Sequence, residues 1–463
     1  MRHSILPLVL LFCTVAVCPA QFAVEIYDTD GIPPHVHKER RERLLRDLSP
    51  KSAVLLLSAD VRNRQNDVDY EYRQNSDLLY LSGFPYAGGA LLLVPAGVDI
   101  GGRRVREVLF VRDRVQSREQ WTGVEMGPQE AMTILGVDTA LSASGLKDFL
   151  DGLMPHLDSL FVPNFPTKSV TLSVLGRNVY MDGETRKGLK ERYPDLVLAT
   201  TLPLLAAMRE IKDTAELRLM QRAIDISIEG HIAMMKGAKP NMTEYELEAL
   251  MEYTFKRLGA EDVGYPSIVG SRYNACILHY VTNRRRTTSD DLVLADCGAE
   301  YHGYTADITR TFPVNGRFTK EQRQIYDIVL EAQDSGIAAS RAGNTFNAPH
   351  EAARKVIIRG LRALGIIDSD SDVRKYFMHG TSHYLGLDVH DAGTRGPLKP
   401  NSVITVEPGI YIANGSPCDR KWWNIGIRIE DDILITTGDP VNMSRALPRR
   451  ADDIEGLVRQ RSN

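Results

Sequence analysis

Through the first two hundred residues, short apolar runs of strand length alternate with stretches of helical period. The runs fall at 53–57, 90–94, 108–111, 160–162 and 196–199, and the helical stretches at 37–47, 128–135, 145–154 and 184–193. That alternation predicts a compact α/β domain over residues 36–200. No G-x-G-x-x-G or phosphate loop follows any of these strands, so a nucleotide-binding domain is not expected.

A boundary is expected near Thr200-Thr-Leu-Pro, and the order of elements then changes. Asp213-Thr-Ala-Glu216 is a capping signal for a long amphipathic helix whose apolar face carries Leu217, Met220, Ala223, Ile224, Ile226 and Ile228. A second helix starts at Thr243, and two more are expected at 319–339 and 348–364. The order is helix, helix, strands, helix, helix, strands, which by periodicity alone is an α+β domain with helices on one face of a sheet. This second domain spans 205–445, and 446–463 reads as a short helix and a loose tail.

The chain opens with a short basic stretch, an apolar run from Ile5 to Val17, and Cys-Pro-Ala20-Gln21. This is the pattern of a secretory signal peptide, residues 1–20, cut after Ala20, and it predicts an exported protein, periplasmic or secreted. The apolar run, about 13 residues, is short of the roughly 20 needed to span a bilayer. Bulky Val17 before Cys18 argues against a lipoprotein signal, and no stable membrane insertion is expected after cleavage. Asn241-Met-Thr243 and Asn442-Met-Ser444 are glycosylation acceptors only on a eukaryotic secretory route.

Of five cysteines, Cys13 and Cys18 leave with the leader, so Cys276, Cys297 and Cys418 remain. An odd number without motif spacing is not a disulfide framework. A formal charge of −4 and a pI near 6.3 give no broad field for nucleic acid. Arg284-Arg285-Arg286 is the densest basic run outside the early helix, and reads as a solvated hairpin turn or, alternatively, a lip of the active-site cleft.

The chemistry concentrates between Asp291 and Glu430. Asp296 ends the run Leu292-Val-Leu-Ala, a turn containing glycine follows, and Asp307 opens the run Ile308-Thr-Arg-Thr-Phe312. Glu407 and Glu430 likewise follow the runs at 403–406 and 425–429, and between the two acidic pairs lies a stretch containing His379, His383 and His390. A buried carboxylate without a partner costs several kcal/mol, so it is paired, protonated or bound to metal. Only Arg310 and Arg428 are adjacent cations in sequence. Divalent metal solves the problem. A carboxylate-rich, thiolate-free set suits Mn²⁺, with Co²⁺ or Zn²⁺ as alternatives. Five ligands with four negative charges over-supply one ion and point to two, holding a bridging hydroxide for hydrolysis.

In order and spacing, Asp296, Asp307, a histidine, Glu407 and Glu430 resemble the pita-bread metallopeptidases, a group that includes aminopeptidase P, prolidase and methionine aminopeptidase. The flanks are most similar to aminopeptidase P: Ile277-Leu-His279-Tyr280, the run from Gly303 to Gly316, and that from His379 to Asp391. Upstream, Glu71-Tyr-Arg-Gln-Asn-Ser-Asp77-Leu-Leu-Tyr-Leu-Ser-Gly-Phe84 resembles the N-terminal domain of the same group. The resemblance spans roughly residues 36–445 and implies an α+β pita-bread catalytic domain, two αα-sheet halves around one curved sheet, behind a smaller α/β domain.

The resemblance further implies that His383 is the histidine ligand, completing Asp296, Asp307, Glu407 and Glu430. His279 and His390 match two histidines that contact substrate, although each alone also reads as a core hydrogen-bonder, His279 in an apolar-flanked strand. His379, Val389, Tyr411 and Arg428 match residues around the site for proline. Glu407 is the candidate general base, able to take a proton from water and deliver it to the departing nitrogen. Trp121 reads either, by the resemblance, as a residue reaching a neighbouring subunit's active site in a homodimer or homotetramer, or as an ordinary half-buried tryptophan. The expected activity is removal of the N-terminal residue from peptides with proline second. Prolidase is the alternative within the family, and a catalytically silent pita-bread binding module or a metal-free creatinase-like amidinohydrolase the alternative outside that activity. No G-x-S-x-G supports a serine hydrolase.

Overall fold

The computed structural model describes residues 24, 27, 29–163, 169–172, 177–180 and 183–460. The expected leader, with Cys13 and Cys18, lies outside the described residues. None of the helices among the described residues is long and apolar enough to cross a membrane.

The first half is built on a six-stranded sheet, in the order Val197–Thr200, Ser159–Val162, Ser52–Leu57, Ala90–Ile100, Arg103–Val111, Thr139–Ser142. Ala90–Ile100 pairs antiparallel with both of its neighbours, and the other ladders are parallel. All five predicted runs lie in this sheet. Two are longer than expected because a hairpin through Gly101-Gly102, at φ 59° and 78°, carries the pairing outward. The sheet is covered on both faces, and successive residues divide between them with period two. Val54, Leu56, Leu91 and Leu93 join one apolar cluster, while Ala53, Leu55, Ala90 and Leu92 join another. The first cluster continues into the second half through Leu205, Met208 and Leu219, so the two halves share one core.

In the second half, the predicted helices are Thr214–Gly237, Glu244–Arg257, Lys320–Ala339 and Ala348–Ala363. Capping boxes start the first three, at Asp213 with Glu216, Thr243 with Glu246, and Thr319 with Gln322. Helices pack in pairs. A Cβ on Gly230 would meet the Phe255 ring at 2.3 Å, so glycine there permits the first pair to close. The expected single curved sheet is divided into four hydrogen-bonded groups: Asp262–Val263 with Ala299–Tyr301 and Tyr304–Thr305; Ile268–Ser271 with Leu292–Asp296 and Thr309–Pro313; Val403–Val406 with Asp431–Leu434 and Val441–Asn442; and Gly409–Ile412 with Ile425–Arg428. The Glu430 amide, donating to the Thr309 carbonyl at 3.1 Å, links the halves at the site.

The expected short helix near the end of the chain is Ala451–Arg459, which buries Ala451, Ile454 and Val458. One expectation needs correction. The triple arginine is neither a hairpin turn nor part of the cavity wall. Arg286 bridges backbone to Thr243, and Arg285 donates to Ser271 at 2.7 Å and Asp291 at 2.6 Å. Charge pairing with a strand neighbour decided its place.

Candidate active site

Asp296 ends the Leu292–Asp296 strand and faces Thr309 across an antiparallel ladder. The intervening chain turns at His302 and Gly303, at φ 49° and 80°. Behind that turn a Cβ on Gly298 would meet the Ala306 carbonyl oxygen at 1.9 Å, so only glycine lets the two segments close. Closure brings Asp296 and Asp307 under one phenol. Tyr265 Oη lies 2.7 Å from Asp296 Oδ1 and 2.6 Å from Asp307 Oδ1, and shares its proton between them.

Glu430 follows the Ile425–Arg428 strand, and Thr309 Oγ1 donates to its Oε2 at 2.6 Å. Glu407 follows Val403–Val406, its amide donating to the Thr381 carbonyl at 2.9 Å. His383 donates from Nδ1 to the Tyr384 carbonyl at 3.0 Å, which turns Nε2 toward the carboxylates. Nε2 is 3.3 Å from Asp307 Oδ2 and 3.8 Å from Glu407 Oε1. One ligand atom each from Asp307, His383 and Glu430 lie within 4.8 Å of one another. The five residues singled out in the sequence therefore meet, and a cavity of about 530 Å³ opens onto all of them.

The electrostatics of this set favour cations. Burial, with repulsion from Asp307 and Glu407, drives the Glu430 carboxyl well above the ordinary range. Burial raises Glu407 to about 7 against the pull of His383 and Arg428, and raises Asp296 despite Arg428 beside it. Burial opposes charge on His383, but the Asp307 carboxylate outweighs it and lifts the imidazole to about 9. Arg428 alone cannot neutralise four carboxylates. Hard to borderline divalent ions match both the charge and the oxygen-rich donor set, so the residues fit a metal centre.

The remaining predicted residues surround this cluster. His279, His379, Val389, His390 and Arg428 line the cavity, with Ile268, Leu278 and Val281 as apolar wall. His279 is not in a strand. It follows the short Arg272–Cys276 helix in a turn, because the Ile268–Ser271 strand ends earlier. Both His279 and His390 are exposed at the cavity rather than buried in a core. The His390 ring is 4.5 Å from that of His383, at 79°. Tyr411 sits behind the wall, accepting from Arg428 Nη1 at 2.8 Å and lying 2.9 Å from His379 Nε2. Burial lowers His379 to about 3, so its neutral ring accepts the tyrosine proton. His379 and His383 share no helical face, since the segment is irregular.

Tyr265 was not singled out in the sequence. A tyrosine carries no signal in a census of acids and histidines, and only Gly264-Tyr265-Pro266 ahead of a strand marked a turn. Trp121 is 88% exposed, so the half-buried reading of it fails.

The sequence profile of metallopeptidase family M24 matches residues 218–437, and that of the aminopeptidase P N-terminal domain matches residues 37–161. The Xaa-Pro aminopeptidase of Escherichia coli strain K12 is 37% identical, over 91% of this chain and 97% of that one. Among solved structures, a zinc-substituted E. coli aminopeptidase P in complex with product has a TM-score of 0.83 at 37% identity, covering 94% of this chain and 100% of that one. Pseudomonas aeruginosa aminopeptidase PepP also has 0.83, at 34% identity, covering 93% and 98%. With its carboxylate and imidazole cluster seated in the matched segment, the chain belongs to metallopeptidase family M24, behind an N-terminal domain of the aminopeptidase P type.

Proposed function

We propose that this chain is a metal-dependent aminopeptidase that releases the N-terminal residue from peptides with proline in the second position. The observation that carries the reading is the convergence of Asp296, Asp307, His383, Glu407 and Glu430 on one cavity whose wall also holds three further histidines. Those five would hold two divalent ions, Mn²⁺ by preference for a carboxylate-rich set, with Co²⁺ or Zn²⁺ as alternatives. Such ions supply Lewis acidity toward the scissile carbonyl and a nucleophilic water at neutral pH.

The protein residues divide the remaining work. Glu407, lining the cavity 3.8 Å from His383 Nε2, is placed to accept a proton from water and pass it to the departing nitrogen. His279 and His390, exposed to the cavity, serve as donors to the oxygen on which charge develops and to the leaving group. The proline ring is rigid and lacks an N–H donor, so shape rather than an acceptor recognises it. Val389 and the His379–Tyr411–Arg428 chain supply a wall fixed by hydrogen bonds.

Export is proposed on the opening residues alone, and self-assembly as a dimer or tetramer is supported by Trp121, 88% exposed on the Gln116–Thr122 helix. The decisive experiment is a substrate panel with and without Mn²⁺ and a chelator. Metal-dependent release of the first residue from X–Pro tripeptides and longer peptides is expected. Turnover confined to X–Pro dipeptides would make the enzyme a prolidase, and chelator-resistant turnover would sink the metal reading.

A further inference from the structure

The segment from Arg73 to Asp77, in the first half of the chain, takes no part in the chemistry above, yet it reaches the loop that carries Val389 and His390. Arg73 Nη2 donates to the Leu387 carbonyl at 2.7 Å and to the Gly303 carbonyl at 3.1 Å, while its Nε holds both oxygens of Glu300 at 3.1 and 3.0 Å. Ser76 Oγ donates to Asp388 Oδ1 at 2.6 Å. Asp77 accepts from Arg209 Nη1 at 2.8 Å, and the other end of the same guanidinium reaches Asp388 Oδ2 at 2.6 Å and Asp391 Oδ1. Lys212 Nζ closes the far side on Asp391 Oδ2 at 2.5 Å.

Asp388 and Asp391 stand on either side of Val389-His390, so one guanidinium pins both ends of the pair that faces the cavity. Arg209, Lys212 and Asp391 are buried, at 4%, 2% and 9% exposure, which strengthens each interaction relative to water. The loop is wrapped tightly on this network. A Cβ on Gly386 would meet Asp391 Oδ2 at 2.2 Å and Lys212 Nζ at 2.6 Å. It belongs to neither a helix nor a sheet ladder, so no regular backbone pairing fixes it from within.

We infer that Arg73, Asp77 and Arg209 are positioning residues, through which the N-terminal domain sets the place of Val389 and His390 in the catalytic cavity. The catalytic half of this inference rests on the reading of His390 and Val389 given above, whereas the mechanical half does not. A displacement of about 1 Å at a reacting group is enough to cost up to about a hundredfold in rate.

Arg209→Met would leave buried carboxylates unpaired and endanger the fold, so Asp77→Asn, on a part-exposed carboxylate, carries the test, with Asp77→Glu as the conservative variant. In the full chain loaded with Mn²⁺, Asp77→Asn is expected to speed amide exchange across 386–391 by about fivefold or more, as a local opening, while exchange in the Leu292–Asp296 strand stays unchanged. On an X–Pro tripeptide kcat falls by about tenfold, and Asp77→Glu recovers part of both effects. Unchanged exchange at 386–391 overturns the inference, and so does faster exchange with wild-type kcat and KM. His390→Ala is run alongside. Wild-type kcat in that variant refutes the role of His390 itself, and the clamp is then decided by exchange alone.

Discussion

Arg428 and Asp296 form a buried ion pair at the edge of the carboxylate cluster, with side chains only 4% and 10% exposed. The same guanidinium reaches Tyr411 through Nη1 and, through Nε, donates to Thr309 Oγ1, which in turn donates to Glu430. One planar group thus orients a carboxylate, the hydroxyl behind His379 and the hydroxyl on a second carboxylate. Removing it with Arg428→Met uncovers a buried charge and is expected to cost about 3 kcal/mol of stability, with a large loss of kcat/KM. Arg428→Lys keeps the charge but not the three-way geometry, so it should recover stability and not activity. Denaturant titration and steady-state kinetics distinguish these. A lysine variant as active as wild type would remove the orienting role.

The division of labour between Glu407 and His390 gives a second prediction. Glu407→Ala is expected to abolish peptide cleavage with the circular dichroism spectrum unchanged, and residual turnover would refute its assignment. His390→Ala should lower kcat by about a hundredfold or more with little change in bound metal, since its ring neighbours His383 without sharing its carboxylate contacts.

Metal removal should destabilise as well as inactivate. Burial, with mutual repulsion added, raises the carboxyls of Asp296, Glu407 and Glu430, so ions that compensate both bind the folded chain and not the unfolded one. Stabilisation of about 4 kcal/mol is expected once the ion exceeds its Kd a thousandfold. Thermal melts across a Mn²⁺ series should show a rising Tm, and a flat series would contradict this account.

A pH dependence follows from His302, which is remote from the cluster. It lies 2.8 Å from Asp30 and 2.8 Å from Glu261. Burial opposes its charge, but the hydrogen bonds to Glu261 and Asp30 outweigh that, raising it from 6.5 to about 8. The folded state therefore binds this proton more tightly than the unfolded chain. Its contribution is full below about pH 6.5 and fades as pH rises through about 8. His302→Gln should lower Tm at about pH 6, with the gap to wild type closing by about pH 9. A gap independent of pH would show that packing, not charge, is what the residue contributes.

Much of this was legible because the signals were local. The helix at Thr214–Gly237 is announced by Asp213 and Glu216, three positions apart, and Asp296 and Asp307 each border an apolar run. Burial at a strand end turned those acids into a chemical statement. Other features depend on partners far off in sequence. Nothing near Tyr265 says that two carboxylates will converge beneath it, and nothing near Arg73 names Glu300 as its partner. His279 was misplaced in a strand for the same reason, since apolar flanks alone do not say where a ladder stops. The Ser76–Ser82 helix is short, and its support is Asn75 accepting from two amides at one end and Gly83 at φ 69° at the other. Such caps are visible in sequence, but a seven-residue helix carries too few turns for periodicity to declare it.

The Ala451–Arg459 helix rests on Thr214–Gly237 and on the Thr309–Pro313 strand. During synthesis those older elements leave the ribosome long before their cover does, roughly two hundred residues earlier in the case of the helix. Until then the seats of Ile454 and Val458 stand open to water, so the catalytic half completes its interior only after Val458 has been made. A variant lacking the Ala451–Arg459 helix would thus expose a greasy seam and stick to its neighbours.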